Sequence, residues 1–335
     1  MTKSTAIPEA EILRQAADWL PNRQLDAASL RQLAGQRGLD FATAVLYHAL
    51  RQSPRHGPLI ARLDEPVQKT PMLDVEIVIV PGAFYKDKPE TGADGRIIME
   101  SARRLGIATV TVPLRSFGTV AENAVLLADW LSQHTKRPVI LVSHSKGTTE
   151  IRQLLARPDA ADLFRWVRAW IDLSGLFFGT PIIGWLRRHR LNWLLVRLLF
   201  WWKGFAFSVL SEIDRAACPL WPGALEAVPH LDVIHVIGFP LERHLTMPIV
   251  RRGYRRLSPL GPNDGTVLLE DVFALPGRVY PVWGADHYLR PAGRDMSQLV
   301  AGILSYLAGG AGFQPAASGD GRLEACPTTH AKEPA

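Results

Sequence analysis

A serine, an aspartate and a histidine, each in a short turn beside an apolar run, are the residues of this chain whose chemistry could be combined. Ser145 lies in Leu141-Val-Ser-His-Ser-Lys-Gly-Thr-Thr-Glu150, between the apolar run Pro138-Val-Ile-Leu-Val142 and a stretch with apolar residues at helical spacing. The core of that segment, Ser143-His-Ser-Lys-Gly147, fits a small-x-nucleophile-x-small pattern. A tight strand-to-helix turn holds a hydroxyl at its tip under backbone strain, and bulky residues two positions to either side would collide. The helix start also presents backbone N–H groups where an oxyanion would form. Such a short pattern also occurs in ordinary turns, so the partners decide. A serine hydroxyl needs a base to take its proton and a third group to orient that base. Asp264 sits in the Gly-flanked turn Gly261-Pro-Asn-Asp-Gly-Thr-Val267 and His287 in Trp283-Gly-Ala-Asp-His-Tyr288, giving the chain order Ser, Asp, His. Asp172, Asp271 and Asp286 compete for the acid's place.

These turns must be carried by a scaffold, and the apolar patterning supplies one. Strands are expected at 75–80, 107–112, 138–142, 166–173, 231–238 and 278–283, and helices at 97–105, 120–134, 148–156 and 296–307. Strands separated by helices predict an α/β domain with a mostly parallel sheet covered on both faces. Residues 8–52 read as short helices, with Pro8 in a first turn, Asp26 and Asp40 as N-cap candidates and Gly35 and Gly38 as stops. Residues 54–71 read as a Pro-rich linker, so 1–70 form a helical extension expected to pack on the main domain. That domain spans 71–308, and 309–335, rich in Ala, Gly and Pro, reads as a disordered tail.

Composition narrows the function classes. A chain of 335 residues with 47% hydrophobic and 21% charged residues is globular and long enough for a large core. Two cysteines, Cys218 and Cys326, do not make a disulfide framework. The N-terminus lacks an apolar run suited to secretion, which makes cytoplasmic the default location. The uncharged run 296–319 is broken by glycines and is too short to span a bilayer. A net charge of +6 could suggest nucleic acid, but the clustered arginines, 187/188/190 and 251/252/255/256, lie in no nucleic-acid motif. A solvated basic face is expected, with no nucleic-acid partner. His189, His235 and His244 have no metal-ligand spacing and are expected to be structural.

Over about residues 72–308 the sequence resembles the α/β-hydrolase superfamily, and within it looks most like the lipase and esterase group. Four segments carry the resemblance: Val78-Ile-Val-Pro-Gly-Ala83, the Ser143–Gly147 elbow, Gly175-Leu-Phe-Phe-Gly-Thr-Pro181, and the Asn-Asp-Gly and Asp-His turns. It implies Ser145 as nucleophile, His287 as general base and then acid, and Asp264 as the carboxylate that orients the imidazole. It also implies an oxyanion hole from the backbone N–H groups of Lys146 and Ala83, with Phe84 as the alternative to Ala83. In some lipases the acid comes from the position that Asp172 occupies. The sequence departs from the family's His-Gly at the oxyanion turn, where it has Pro81-Gly82. Ser143 stands where glycine is usual, so Ser143→Gly is expected to be tolerated. Tyr-Leu-Arg follows His287 without the carboxylate that some bacterial lipases use for calcium, so neither metal nor cofactor is expected.

Between Pro181 and Leu231 the chain is longer than a crossover helix needs, and 177–230 reads as a cap or lid insertion. Ile182–Leu210 holds Trp185, Trp193, Trp201 and Trp202 among Arg187, Arg188, Arg190, Arg197 and Lys203. Leu191, Leu195, Leu198 and Trp202 at i, i+4, i+7 and i+11 define an apolar face, while Arg190 and Arg197 share another. A membrane span would bury Arg197 and Lys203 at about 3 kcal/mol each. A lid or interfacial helix costs less, contacting lipid through 182–210 and closing its apolar face over Ser145, and a cap helix packed over the site fits the pattern equally. The expected activity is hydrolysis of carboxylic esters with a hydrophobic acyl or alkyl group through an acyl-enzyme. A thioesterase or acyltransferase with the same three residues, or a catalytically silent membrane-surface protein, are the alternatives.

Overall fold

All six strands expected from the apolar runs form. The computed structural model describes residues 7–20, 24–67, 74–134, 136–218, 225–291 and 295–309. The expected tail from 310 onward, including Cys326, lies outside the described residues. Four helices come first: α1 (Glu9–Trp19), α2 (Ala27–Arg37), α3 (Leu39–Gln52) and α4 (Gly57–Asp64). Then follow β1 (Glu76–Val80), α5 (Arg96–Arg104), β2 (Ala108–Thr111), α6 (Val120–His134), β3 (Val139–His144), α7 (Gly147–Leu155), α8 (Ala160–Leu163) and β4 (Val167–Leu173). The remainder is α9 (Ile182–Arg188), α10 (Arg190–Lys203), α11 (Val209–Glu212), β5 (Asp232–Phe239), α12 (Pro248–Leu257), β6 (Arg278–Trp283) and α13 (Met296–Gly309).

The six strands form one parallel sheet in the order β2-β1-β3-β4-β5-β6. From β1 the chain steps outward to β2, and α6 then carries it back to β3 on the other side of β1. The order therefore reverses at β1, so the carboxyl ends of β1 and β3 flank the switch point at which open α/β sheets bind ligands. All six residues of β3 are buried, as a central parallel strand covered on both faces requires.

The N-terminal helices share the sheet's core. Leu46, Leu59 and Leu63 belong to the same buried cluster as Val279 and Tyr280 of β6. His56 Nδ1 accepts the Val279 backbone N–H at 3.2 Å, and the Tyr280 hydroxyl donates to Asp64 at 2.7 Å. Burial, with the Arg55 charge beside it, lowers the His56 pKa to about 4 and keeps that nitrogen free to accept. Two sequence expectations change here. Asp26 caps α2 through a reciprocal pair with Ser29, but α3 starts at Leu39 directly after Gly38, which leaves Asp40 inside the first turn. The expected linker contains α4, which starts with Pro58 in its first turn and buries Leu59, Ile60 and Leu63.

The insertion builds α9, α10 and α11. Phe200 and Ile183 form a second, smaller buried cluster with Phe117, Val120, Leu176 and Val267, flanked by Trp193 and Val196. Phe117 meets Phe200 edge-on at 4.9 Å and Trp193 meets Phe207 at 4.9 Å. The predicted apolar face of α10 lies on the other side: Leu191, Leu195, Leu198 and Trp202 are exposed, together with Leu194, Leu199 and Trp201. It faces outward and does not close over Ser145. The helix is apolar on both sides, and Trp193, Val196 and Phe200 take the protein-facing one. Among the described residues no helix is long and apolar enough to cross a membrane.

Candidate active site

Ser145 follows the last residue of β3 and has φ +51°, a left-handed conformation that costs a non-glycine residue on the order of 1–3 kcal/mol. Neighbouring backbone holds it there. Its N–H donates to Leu173 O at 3.2 Å, and its carbonyl accepts from Leu176 N at 2.9 Å and Thr148 N at 3.2 Å. The small residue at 147 is forced by approach, since a Cβ there would lie 2.4 Å from Val80 O. At 82 a Cβ would lie 2.7 Å from His144 Nδ1, which accounts for the glycine after Pro81.

The structure brings the three sequence-predicted side chains together. The Ser145 hydroxyl donates to His287 Nε2 at 2.9 Å, and His287 Nδ1–H donates to Asp264 Oδ2 at 2.9 Å. The other carboxylate oxygen of Asp264 accepts from Thr266 N and Val267 N, both at 2.8 Å, so its own turn orients it. The His287 backbone N–H donates to Asp264 O at 3.0 Å and fastens the two loops together. Asp264 and His287 are fully buried and Ser145 is 9% exposed, so a substrate reaches it only past the surrounding loops. Thr180, in the Gly-Thr-Pro stretch, donates its hydroxyl to Thr266 O at 2.6 Å and ties the entrance of the cap to the Asp264 turn.

The proposed oxyanion residues are also adjacent. Among the described residues the backbone N–H groups of Ala83 and Lys146 have no protein acceptor, whereas that of Phe84 donates to Ser116 O at 3.2 Å. The Phe84 N–H, the alternative donor, is engaged by that bond. The Lys146 side chain turns into the protein and donates to buried Glu150, whose Oε1 also accepts from Asn123 Nδ2 at 3.1 Å. Burial raises the Glu150 pKa, and the Lys146 charge opposes that rise.

The competing carboxylates are occupied elsewhere. Asp271 pairs with Arg215 at 2.7 Å, and burial raises its pKa to about 6 against that pairing. Asp286 Oδ1 accepts from Tyr288 N and Arg290 N, and burial raises its pKa to about 6. Asp172 is joined across the sheet to His235, its register partner on β5, at 2.7 Å. His235 Nε2 faces Pro276 O at 2.9 Å, so this ring has an acceptor at each nitrogen. Asp172 also accepts from Thr148, and Trp170 Nε1–H donates to Ser143 Oγ at 2.8 Å, with Ser143 Oγ 2.9 Å from Thr148 Oγ1. Ser143 is therefore a partner in a buried network behind the elbow. A glycine there would leave Trp170 Nε1 without this acceptor.

His144 lies against His287 without joining the reactive chain. Its Nε2 is 3.2 Å from the His287 carbonyl, an acceptor, so the proton is on Nε2. Burial first, and the neighbouring His287 second, lower its pKa to about 3 and keep it neutral. His189 stacks on Trp185, and His244 accepts from Leu241 N and meets Glu9 at 2.8 Å. Among the described residues no group of three or more His, Cys, Asp or Glu is placed to hold a metal ion. The sequence reading missed the Asp172–His235 pair, because only the β4–β5 register joins residues so far apart.

No protein-family model matches the sequence, and no curated protein matches it. Solved structures do. The chain is similar to a metagenomic carboxyl esterase at 18% identity and a TM-score of 0.54, over 92% of this chain and 96% of that one. It is also similar to the mature form of a Bacillus licheniformis lipase at 20% identity and a TM-score of 0.52, over 72% of this chain and 96% of that one. At such identities likeness speaks for architecture, and it agrees with a single parallel sheet flanked by helices. The chain has the α/β-hydrolase fold.

Proposed function

We propose that this chain is a serine hydrolase that cleaves carboxylic esters with a hydrophobic acyl or alkyl group through an acyl-enzyme. The observation that carries the reading is the unbroken hydrogen-bonded chain from Asp264 through His287 to Ser145, at 2.9 Å for each link. In the first half-reaction Ser145 Oγ bonds to the ester carbonyl carbon while its proton passes to His287 Nε2. The carbonyl π pair moves onto oxygen, and the N–H groups of Ala83 and Lys146 receive that charge; losing one such donor costs about 3 kcal/mol. Asp264 stabilises the imidazolium without taking its proton. The C–O bond to the alcohol then breaks, and the proton on Nε2 leaves with the alkoxide as alcohol. Water repeats the sequence on the acyl-serine: His287 takes its proton, hydroxide bonds to the acyl carbon, and the proton returns to Ser145 as the acid departs.

The apolar preference rests on the aromatic side chains beside the oxyanion turn. Phe84 lies 4.4 Å from Phe117 and 5.8 Å from Phe205, ring centre to ring centre, and Phe205 lies 5.6 Å from Phe200 of the cap. The names of the two similar structures, a carboxyl esterase and a lipase, agree with an ester substrate. The test is Ser145→Ala assayed on p-nitrophenyl esters and with a fluorophosphonate probe. Turnover is expected to fall by on the order of 10⁵-fold or more and labelling to vanish, with the melting temperature unchanged. Retained turnover or labelling would overturn the assignment.

A further inference from the structure

The outward face of α10 is the largest feature that ester hydrolysis does not use. Leu191, Trp201 and Trp202 are 70%, 78% and 71% exposed, and four more leucines lie between them. Successive helix residues advance by about 100°, so these seven side chains span an arc of about 160°, with Arg190 and Arg197 just past one edge and Lys203 just past the other. Arg188, Arg190, Arg197 and Lys203 are exposed and have no ion-pair partner among the described residues. No acidic residue occurs between Ile182 and Leu210. Contiguous apolar surface of this kind on a soluble domain marks a place where something binds.

We infer that α10 docks in the plane of an anionic phospholipid bilayer, with its leucines and tryptophans below the headgroups and its flanking cations at headgroup level. Cations at the two borders of an apolar arc stand where a helix lying in the interface meets phosphate. A second copy on this face would bring both sets of cations together with no carboxylate between them, which charge disfavours. The docked helix does not have to swing. Its inner face is held by Phe200 against Phe117, Arg187 is paired with Asp214 at 2.8 Å, and Arg256 stacks on Trp185 of α9 at 4.0 Å. Membrane contact therefore uses side chains already outside, and it is independent of events at Ser145.

Co-sedimentation of the full chain with vesicles tests this, one set of phosphatidylcholine alone and one of equal phosphatidylcholine and phosphatidylglycerol. Binding to the mixed vesicles is expected, weakened by about tenfold or more in Trp201→Ser/Trp202→Ser. Arg190→Gln/Arg197→Gln is expected to lose about fivefold per charge on the mixed vesicles and nothing on the neutral ones. Turnover of a short soluble ester and the melting temperature are expected to stay unchanged in both double variants, and Ser145→Ala to bind vesicles as the wild type does. Failure to bind either vesicle, or binding indifferent to these substitutions, would overturn the proposal. A dimer in solution that Trp201→Ser/Trp202→Ser dissolves would assign the face to a second copy instead. The vesicle readout involves no turnover, so it stands or falls separately from the hydrolase reading.

Discussion

Two aspartate–histidine pairs are buried in this domain, and they differ in what the far ring nitrogen meets. His287 is held by Asp264 through Nδ1 and presents Nε2 to the Ser145 hydroxyl. His235 is held by Asp172 through Nδ1 and presents Nε2 to the Pro276 carbonyl. A hydroxyl can give up a proton to a lone pair; a carbonyl can only accept one. The first ring therefore faces a hydroxyl whose proton it can accept, while the second faces an oxygen acceptor at each nitrogen and braces β4, β5 and the loop before β6. An aspartate–histidine pair alone is not a catalytic signature. The third partner decides, and here it is a serine under backbone strain.

The largest expected effect separates the two pairs. Asp264→Asn presents the wrong partner to the imidazole and is expected to lower kcat by on the order of 10⁴-fold with little change in melting temperature. Asp172→Asn is expected to do the reverse, keeping kcat within about tenfold while its lost hydrogen bonds to His235 and Thr148 cost about 1–3 kcal/mol of stability in urea melts. If Asp172→Asn were the more damaging to kcat, the braced pair would be the functional one. Ser143→Gly sharpens the comparison, because it removes the acceptor of Trp170 Nε1 behind the elbow without touching His287. It is expected to cost about 1–3 kcal/mol and to leave kcat within a few-fold.

Asp286, next to His287 in sequence but bonded only to its own loop, gives the smallest effect. Its folded pKa is raised from 3.8 to about 6, mainly by burial, so the folded state binds the proton more tightly than the unfolded chain. Stability from this group is complete below about pH 4 and is lost as pH rises through about 6, by on the order of 1–3 kcal/mol. Asp286→Asn is expected to melt above the wild type at pH 7.5, with the gap closing near pH 4.5. His56 and His144 titrate in both proteins and cancel in the difference. A gap that widens on acidification would contradict the assignment.

The sheet was readable in the sequence because parallel strands buried on both faces are nearly continuous apolar runs, and β6 coincides with its expected range of 278–283. Ser145, Asp264 and His287 were readable because each sits in a turn of marked composition. Three features were not. The helix α4 was hidden by Pro54, Pro58 and Pro66, although Pro58 before Leu59, Ile60 and Leu63 is itself a helix-start signal. The orientation of α10 was undetermined because periodicity finds an apolar face without saying which of two such faces turns inward. The brace of Asp172, His235 and Ser143 depends on strand register and on a tryptophan N–H, neither of which spacing reveals.

The most direct measurement is the mass of the covalent intermediate. Rapid quench of wild type, Asp172→Asn and Asp264→Asn with a p-nitrophenyl acyl ester, followed by peptide mass spectrometry, reads which residue is acylated and how fast. The account predicts one acyl group on the peptide containing Ser145, formed at near-equal rates in wild type and Asp172→Asn and slowed by on the order of 10⁴-fold in Asp264→Asn. An acyl group on another residue, or acylation of Ser145 that depends on Asp172 and not on Asp264, would contradict it.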